Sequence, residues 1–227
     1  MPDWLWRLLL AAVIVQIPFE VRLKLLGLSN LQWTFAALAL ACIPLLIRNR
    51  DALIRDRLVQ AAAVFVTIQW MVALMAPEFH ANAMKGAVRF TAGLLLLAIV
   101  RASASEKLIS KTWVIASAAA ALYGLAEYAG FGLPRLFRME EFYIGQVQRL
   151  SGSFEYPNTA AAYFTMSLPI VWWSSFRPYL RVAAVFLLWC ATVLTFSKGA
   201  LLAVPIVLVF SLRRQWKETV ALLAAGV

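Results

Sequence analysis

Apolar sequence constrains this chain more than any other feature, because it recurs in eight runs, each closed by charged residues or a polar turn. The runs are Trp4 to Val21, Leu28 to Ile47, Leu58 to Ala76, Ala81 to Val100, Thr112 to Gly130, Thr159 to Phe176, Pro178 to Phe196 and Gly199 to Leu212. A helix needs roughly 20 mainly apolar residues to cross about 30 Å of hydrocarbon. Runs of this kind therefore indicate membrane-spanning helices. With 63% hydrophobic residues, 14% charged residues and a mean hydropathy of +0.79, the composition excludes a soluble single-core enzyme. The expected fold is all-α, a polytopic membrane helix bundle of about eight complete spans.

The formal net charge of +10 falls mainly between the runs. If all eight runs cross, the connections alternate sides. Thirteen of the 21 Lys and Arg then share the side of the N-terminus, and eight (Arg22, Lys24, Lys85, Arg89, Arg135, Arg138, Arg149 and Lys198) lie on the other. The positive-inside rule predicts a cytoplasmic N-terminus. Because orientation already accounts for the basic excess, a nucleic-acid partner is not implied. The first run is not followed by a small-x-small cleavage pattern at Gln16 to Glu20, so it reads as a retained span. Cys42 and Cys190 sit inside apolar runs and there is one histidine, which indicates neither a disulfide framework nor a Cys/His metal cluster.

After Arg213 to Glu218 the sequence turns apolar again for Thr219 to Val227, a stretch of about 13 Å as helix, which reads as a ninth span cut short. The chain divides into residues 1–130, with five spans, and residues 131–227, with an outer loop 131–158, spans six to eight and the partial ninth. Small residues from Ala116 to Gly124 would let another helix approach the fifth span closely.

Candidate chemistry lies on the side away from the cytoplasm. The long loop holds Arg135, Arg138, Glu140, Glu141, Arg149 and Glu155, and its second half runs Arg149-Leu-Ser-Gly-Ser-Phe-Glu-Tyr-Pro-Asn158 into the sixth span. Asn158 or Thr159 is expected to cap that helix, with Pro157 blocking backward extension. A helix N-terminus suits an anion, and Arg149 can return to it across the Gly152 turn. The competing reading is an interfacial arginine on bulk lipid phosphate over an ordinary cap. A second motif, Thr195-Phe-Ser-Lys-Gly-Ala200, forms a tight break between spans seven and eight. Lys198 there reads either as a head-group contact or as a snorkelling lysine at a turn. Arg89, inside the fourth apolar run, faces either the bundle interior or the interface. His80 is the one side chain whose unperturbed pKa suits general-base work near neutrality, although a lone loop histidine is more often simply solvated. Glu127 and Glu155 are potential partners for these cations.

Together the two motifs resemble the O-antigen ligase and polymerase family of bacterial envelope glycosyltransferases. Lys198 stands where that family usually has arginine, keeping the charge but losing the planar fork. The resemblance implies an enzyme of the bacterial plasma membrane, needing no metal or other cofactor. It would take a glycan from an undecaprenyl-pyrophosphate carrier and transfer it to a glycan or lipid acceptor hydroxyl at the outer face. It also implies that Arg149, with Asn158, Lys198 and Arg89, contacts the donor pyrophosphate among the membrane lipids. The histidine proposed to act in that family lies in a late outer loop, so His80 comes too early to be it, and a chain ending in a ninth span lacks that loop. Two other functions remain open. Pro169 and Pro205 inside spans leave room for a transporter of a small anion or lipid-linked sugar, and a shortened chain could bind carrier lipid without catalysis.

Overall fold

The computed structural model describes residues 3–21, 25–103, 105–132 and 141–214. These form α1 (Asp3–Gln16), α2 (Asn30–Arg48), α3 (Arg50–Arg55), α4 (Arg57–Met75), α5 (His80–Ser103), α6 (Glu106–Tyr128), β1 (Phe142–Ile144), β2 (Val147–Arg149), α7 (Pro157–Trp172), α8 (Pro178–Leu194) and α9 (Lys198–Arg214). The chain is mostly helical, as the apolar runs require, because a helix satisfies its own backbone polar groups where water is absent. It is not all-α, since β1 and β2 form an antiparallel hairpin.

Four helices, α2, α4, α5 and α6, are long and apolar enough to cross a membrane. They correspond to the second to fifth apolar runs, with α6 starting at Glu106 rather than Thr112. The other long helices are shorter than their runs suggested. The first run stops at Gln16, ahead of Pro18, whose ring disfavours helix in the residue before it. Its 14 residues rise about 21 Å. Helix α7 has 16 residues, and α8 and α9 have 17 each, so each rises only about 24 to 26 Å. Among the described residues, length and composition thus support four candidate spans where the sequence suggested eight. Helices α7 and α9 both continue through their internal prolines, Pro169 and Pro205. The expected ninth span at Thr219 to Val227 lies outside the described residues, as do Arg135, Arg138 and Glu140.

The chain separates into two compact units, Met1–Leu9 with Phe35–Glu106, and Leu10–Thr34 with Lys107–Val227. In the first, α4 and α5 form an antiparallel helical hairpin. Trp70 donates from Nε1 to Thr91 Oγ1 at 2.8 Å, and the rings of Phe65 and Phe90 meet edge to face at 5.0 Å. At the far end Asp56 caps α4, accepting from the N–H groups of Leu58 and Val59, while Arg101 in the last turn of α5 donates from Nε to Asp56 Oδ2 at 2.6 Å. That carboxyl is held below the usual carboxylate range, chiefly by the hydrogen bond from Arg101. Short α3, between the second and third apolar runs, leads into this cap.

In the second unit the core is built from α6, α7, α8, α9 and the segment Leu150–Phe154. Leu150, Phe154, Phe164, Leu168, Leu188 and Val204 are all buried in it. Trp113 of α6 stacks on Tyr163 of α7 at 5.5 Å and donates from Nε1 to Ser167 Oγ at 2.8 Å. Helix α2 begins with a reciprocal pair, in which Ser29 N–H donates to Gln32 Oε1 and Gln32 N–H donates to Ser29 Oγ, the pattern of a capping box.

Candidate functional site

The site is built around the stretch between β2 and α7. Hairpin β1–β2 closes through Gly145 and Gln146, and Gly145 has a φ of +60°, as the first central position of a type II′ turn requires. Arg149 ends β2. The five residues after it, Leu150 to Phe154, are buried although they form neither helix nor strand. Buried irregular backbone has to find partners for its polar groups within the protein. Here α6 supplies the room. Gly152 adopts a φ of +53°, and a Cβ placed on it would stand 2.9 Å from the Cα of Gly124. The small residues of α6 therefore admit an irregular, turning segment at Gly124, where the sequence suggested a packed helix.

Two hydrogen bonds tie this segment to the α8–α9 turn. Leu150 N–H donates to the carbonyl of Leu194 at 2.8 Å, and Arg149 Nε donates to the carbonyl of Thr195 at 2.8 Å. Arg149 also donates from Nη2 to Asn158 Oδ1 at 2.8 Å. One half-buried guanidinium thus joins the loop motif, the opening of α7 and the Thr195–Ala200 motif. Its Nη1 has no hydrogen-bond partner among the described residues. The donors left on the guanidinium, the Asn158 amide nitrogen and the opening N–H groups of α9 are together suited to an anion. Lys198, the first residue of α9, adds positive charge at the same turn; it is exposed and makes no hydrogen bond or ion pair among the described residues.

The expected cap is corrected. Asn158 does not cap α7, because Pro157 occupies the first helical position and Tyr156 precedes it without a side-chain cap. Proline favours that position, since its missing N–H would be unpaired there anyway. Thr159 and Ala160 N–H groups both donate to the Tyr156 carbonyl. The α7 end thus presents fewer free donors than a polar cap suggested, and Asn158 is freed to hold Arg149.

Comparison with protein-family models, with curated proteins and with solved structures finds no match. The site is therefore described by its own geometry.

Arg89 is an exposed residue of α5, and His80 is the exposed first residue of that helix; both belong to the first unit, whereas Arg149, Asn158 and Lys198 belong to the second. Glu155 is exposed on the loop, and Glu127 is half-buried near the end of α6. Among the described residues no three His, Cys, Asp or Glu side chains gather to hold a metal ion. Sequence reasoning passed over the hydroxyls of Ser153 and Tyr163, both buried without a hydrogen-bond partner among the described residues. It also passed over the Thr195 carbonyl, which any residue type could have supplied.

Proposed function

We propose that this chain is a multi-pass protein of the bacterial plasma membrane that binds an undecaprenyl-pyrophosphate-linked glycan at Arg149, in the manner of an O-antigen ligase. In this reading all eight apolar helices cross, the shorter ones in a locally thinned bilayer, and the N-terminus is cytoplasmic. The observation that carries it is the position of Arg149, whose guanidinium bonds both Thr195 and Asn158 while keeping donors in reserve. An arginine that is already oriented loses little entropy on taking a phosphate.

In transfer, the acceptor hydroxyl oxygen bonds the anomeric carbon as the bond from that carbon to the phosphate oxygen breaks. The bonding electrons leave with the pyrophosphate, and the hydroxyl proton passes to a base. Arg149 would stabilise the charge that grows on the leaving group, an electrostatic contribution. Lys198 adds a second, looser cation. Asn158 orients Arg149 through its Oδ1, which leaves its amide nitrogen to donate to the pyrophosphate. The transport alternative drew on Pro169 and Pro205 as helix breaks, and neither interrupts its helix.

The test is Arg149→Ala in cells expressing the intact gene product, with glycan transfer and membrane protein level both measured. Transfer should be abolished at unchanged protein level, and purified protein should lose retention of undecaprenyl pyrophosphate in native mass spectrometry. Transfer at the parental rate would sink the proposal.

A further inference from the structure

The hairpin that ends in Arg149 carries a feature that glycan transfer does not use. Residues paired across an antiparallel ladder share a face, as do residues two apart along a strand. The register pairs Phe142 with Arg149 and Ile144 with Val147, so these four occupy one face, and Tyr143 with Gln148 occupy the other. At the base of the first face Phe142 meets the Tyr156 ring at 5.7 Å, and Arg149 bonds Asn158 and Thr195. At its tip Ile144 and Val147 are 51% and 48% exposed. An apolar pair thus lies about 7 Å along the strand from a cation with unspent donors.

The hairpin also stands at a defined end of its unit. Helix α7 begins where α8 ends and α9 begins, since Arg149 touches residues of both places. Exposed polar residues, Asn158, Thr159 and Lys198, cluster at that end. Helices of 16 and 17 residues fall a few ångströms short of a hydrocarbon core of about 30 Å. If α7, α8 and α9 cross the bilayer, the reading on which this inference rests, the mismatch draws the polar end toward the head-group layer. Apolar side chains a few ångströms from a basic group match the layered chemistry of that boundary, with acyl chain on one side and phosphate on the other.

We infer that the hairpin is an interfacial anchor, with Ile144 and Val147 seated in the acyl-chain margin of the bilayer and Arg149 level with the lipid phosphates. Its occupant is the bilayer lipid itself. The anchor holds the Arg149 cluster at phosphate depth, whatever phosphorylated lipid arrives there.

The experiment uses the full chain in liposomes of phosphatidylethanolamine and phosphatidylglycerol, in a Cys42→Ala, Cys190→Ala background. Ile144→Cys is labelled with an environment-sensitive fluorophore, and Gln146→Cys in the turn serves as a second position should the first disturb folding. The expected result is blue-shifted emission that is lost with lipids spin-labelled high on the acyl chain and kept with aqueous iodide. Quenching by iodide alone places the tip in water, and quenching by neither places it against protein. Either outcome overturns the inference. Glycan transfer is not read in this measurement, so its failure is separable from failure of the proposed activity.

Discussion

Arg149 donates from Nε to the carbonyl of Thr195, 46 residues further along the chain, at 2.8 Å. The bond closes the loop motif on the α8–α9 turn, and the second bond to Asn158 fixes the plane of the guanidinium. Arg149→Lys keeps the charge and loses this planar, two-point hold. It should therefore behave more like Arg149→Ala than like the parent in the local stability of the loop. The expected loss is about 1 to 2 kcal/mol. Hydrogen exchange at the Leu150 amide, bonded to Leu194, reads it directly. Parental protection in Arg149→Lys would show that charge alone holds the segment.

The approach of Gly152 to Gly124 separates two glycines that look equivalent in sequence. A Cβ on Gly152 meets backbone, the Cα of Gly124 at 2.9 Å, and the φ of +53° adds strain of its own. A Cβ on Gly124 meets the Leu150 Cδ2 at 3.0 Å, a side-chain end, with the nearest backbone atom, the Gly152 Cα, further off at 3.4 Å. Gly152→Ala should cost about 2 to 4 kcal/mol and Gly124→Ala distinctly less. Thermal unfolding in detergent ranks them, and the reverse order would mean that the buried segment is seated differently.

How much of this was legible beforehand depends on the kind of group involved. Helices α2, α4, α5 and α6 were readable because lipid demands uninterrupted apolar length, and the return of Arg149 to Asn158 was readable from Gly152. The bond to Thr195 was not, because its acceptor is a backbone carbonyl and leaves no trace in residue type. The hairpin had a signal that went unread: aromatic and β-branched residues, Phe142 to Ile144 and Val147, flank a two-residue turn opening with Gly145. Its three-residue strands are too short for the apolar-run criterion that found the helices. Pro157 was recognised as a helix boundary and placed on the wrong side of it, because its preference for the first helical position competes with Asn158 as a cap.

Ser167 should matter for stability out of proportion to its size. It is buried on α7, accepts from Trp113 Nε1 of α6 at 2.8 Å and donates to the Tyr163 carbonyl at 2.7 Å. Ser167→Ala removes the acceptor and strands the indole N–H, with an expected cost of about 1 to 3 kcal/mol. Adding Trp113→Phe to it should return part of that loss, since the stranded donor is then gone. A double variant as unstable as the sum of the two single ones would contradict the coupling.

Asp56 gives the first unit an acid-sensitive point. Its carboxyl is depressed below its ordinary value of 3.8, first by the Arg101 hydrogen bond, against the opposing effect of desolvation. A group whose folded pKa is lowered contributes stability that is present above the ordinary value and lost as pH falls through the folded one. The α4–α5 hairpin should therefore hold constant from neutrality down to about that value and loosen below it. Asp56→Asn should be weaker at neutral pH and flat through the same acid range. Trp70 fluorescence, from the indole bonded to Thr91 across the hairpin, can follow the change. An Asp56→Asn profile as steep as the parent's would assign the acid sensitivity elsewhere.

Tyr163 provides the opposite case to Ser167. Its ring is well placed, stacked on Trp113 and 5.1 Å from the Phe154 ring, yet its hydroxyl is buried with no partner among the described residues. Burying a hydroxyl without a hydrogen bond costs about 1 to 3 kcal/mol on protein mutational scales. Tyr163→Phe keeps the ring contacts and removes the cost, so the variant should melt at the same temperature as the parent or higher. A second orphan, Ser153, makes the comparison sharper, because Ser153→Ala should behave in the same direction. If both substitutions instead destabilise, each hydroxyl is bonded in the protein to an ordered water or a polar ligand, shared or separate. Thermal unfolding of the two single variants and the double distinguishes these outcomes, since a shared partner makes the losses non-additive and two independent orphans make the gains add.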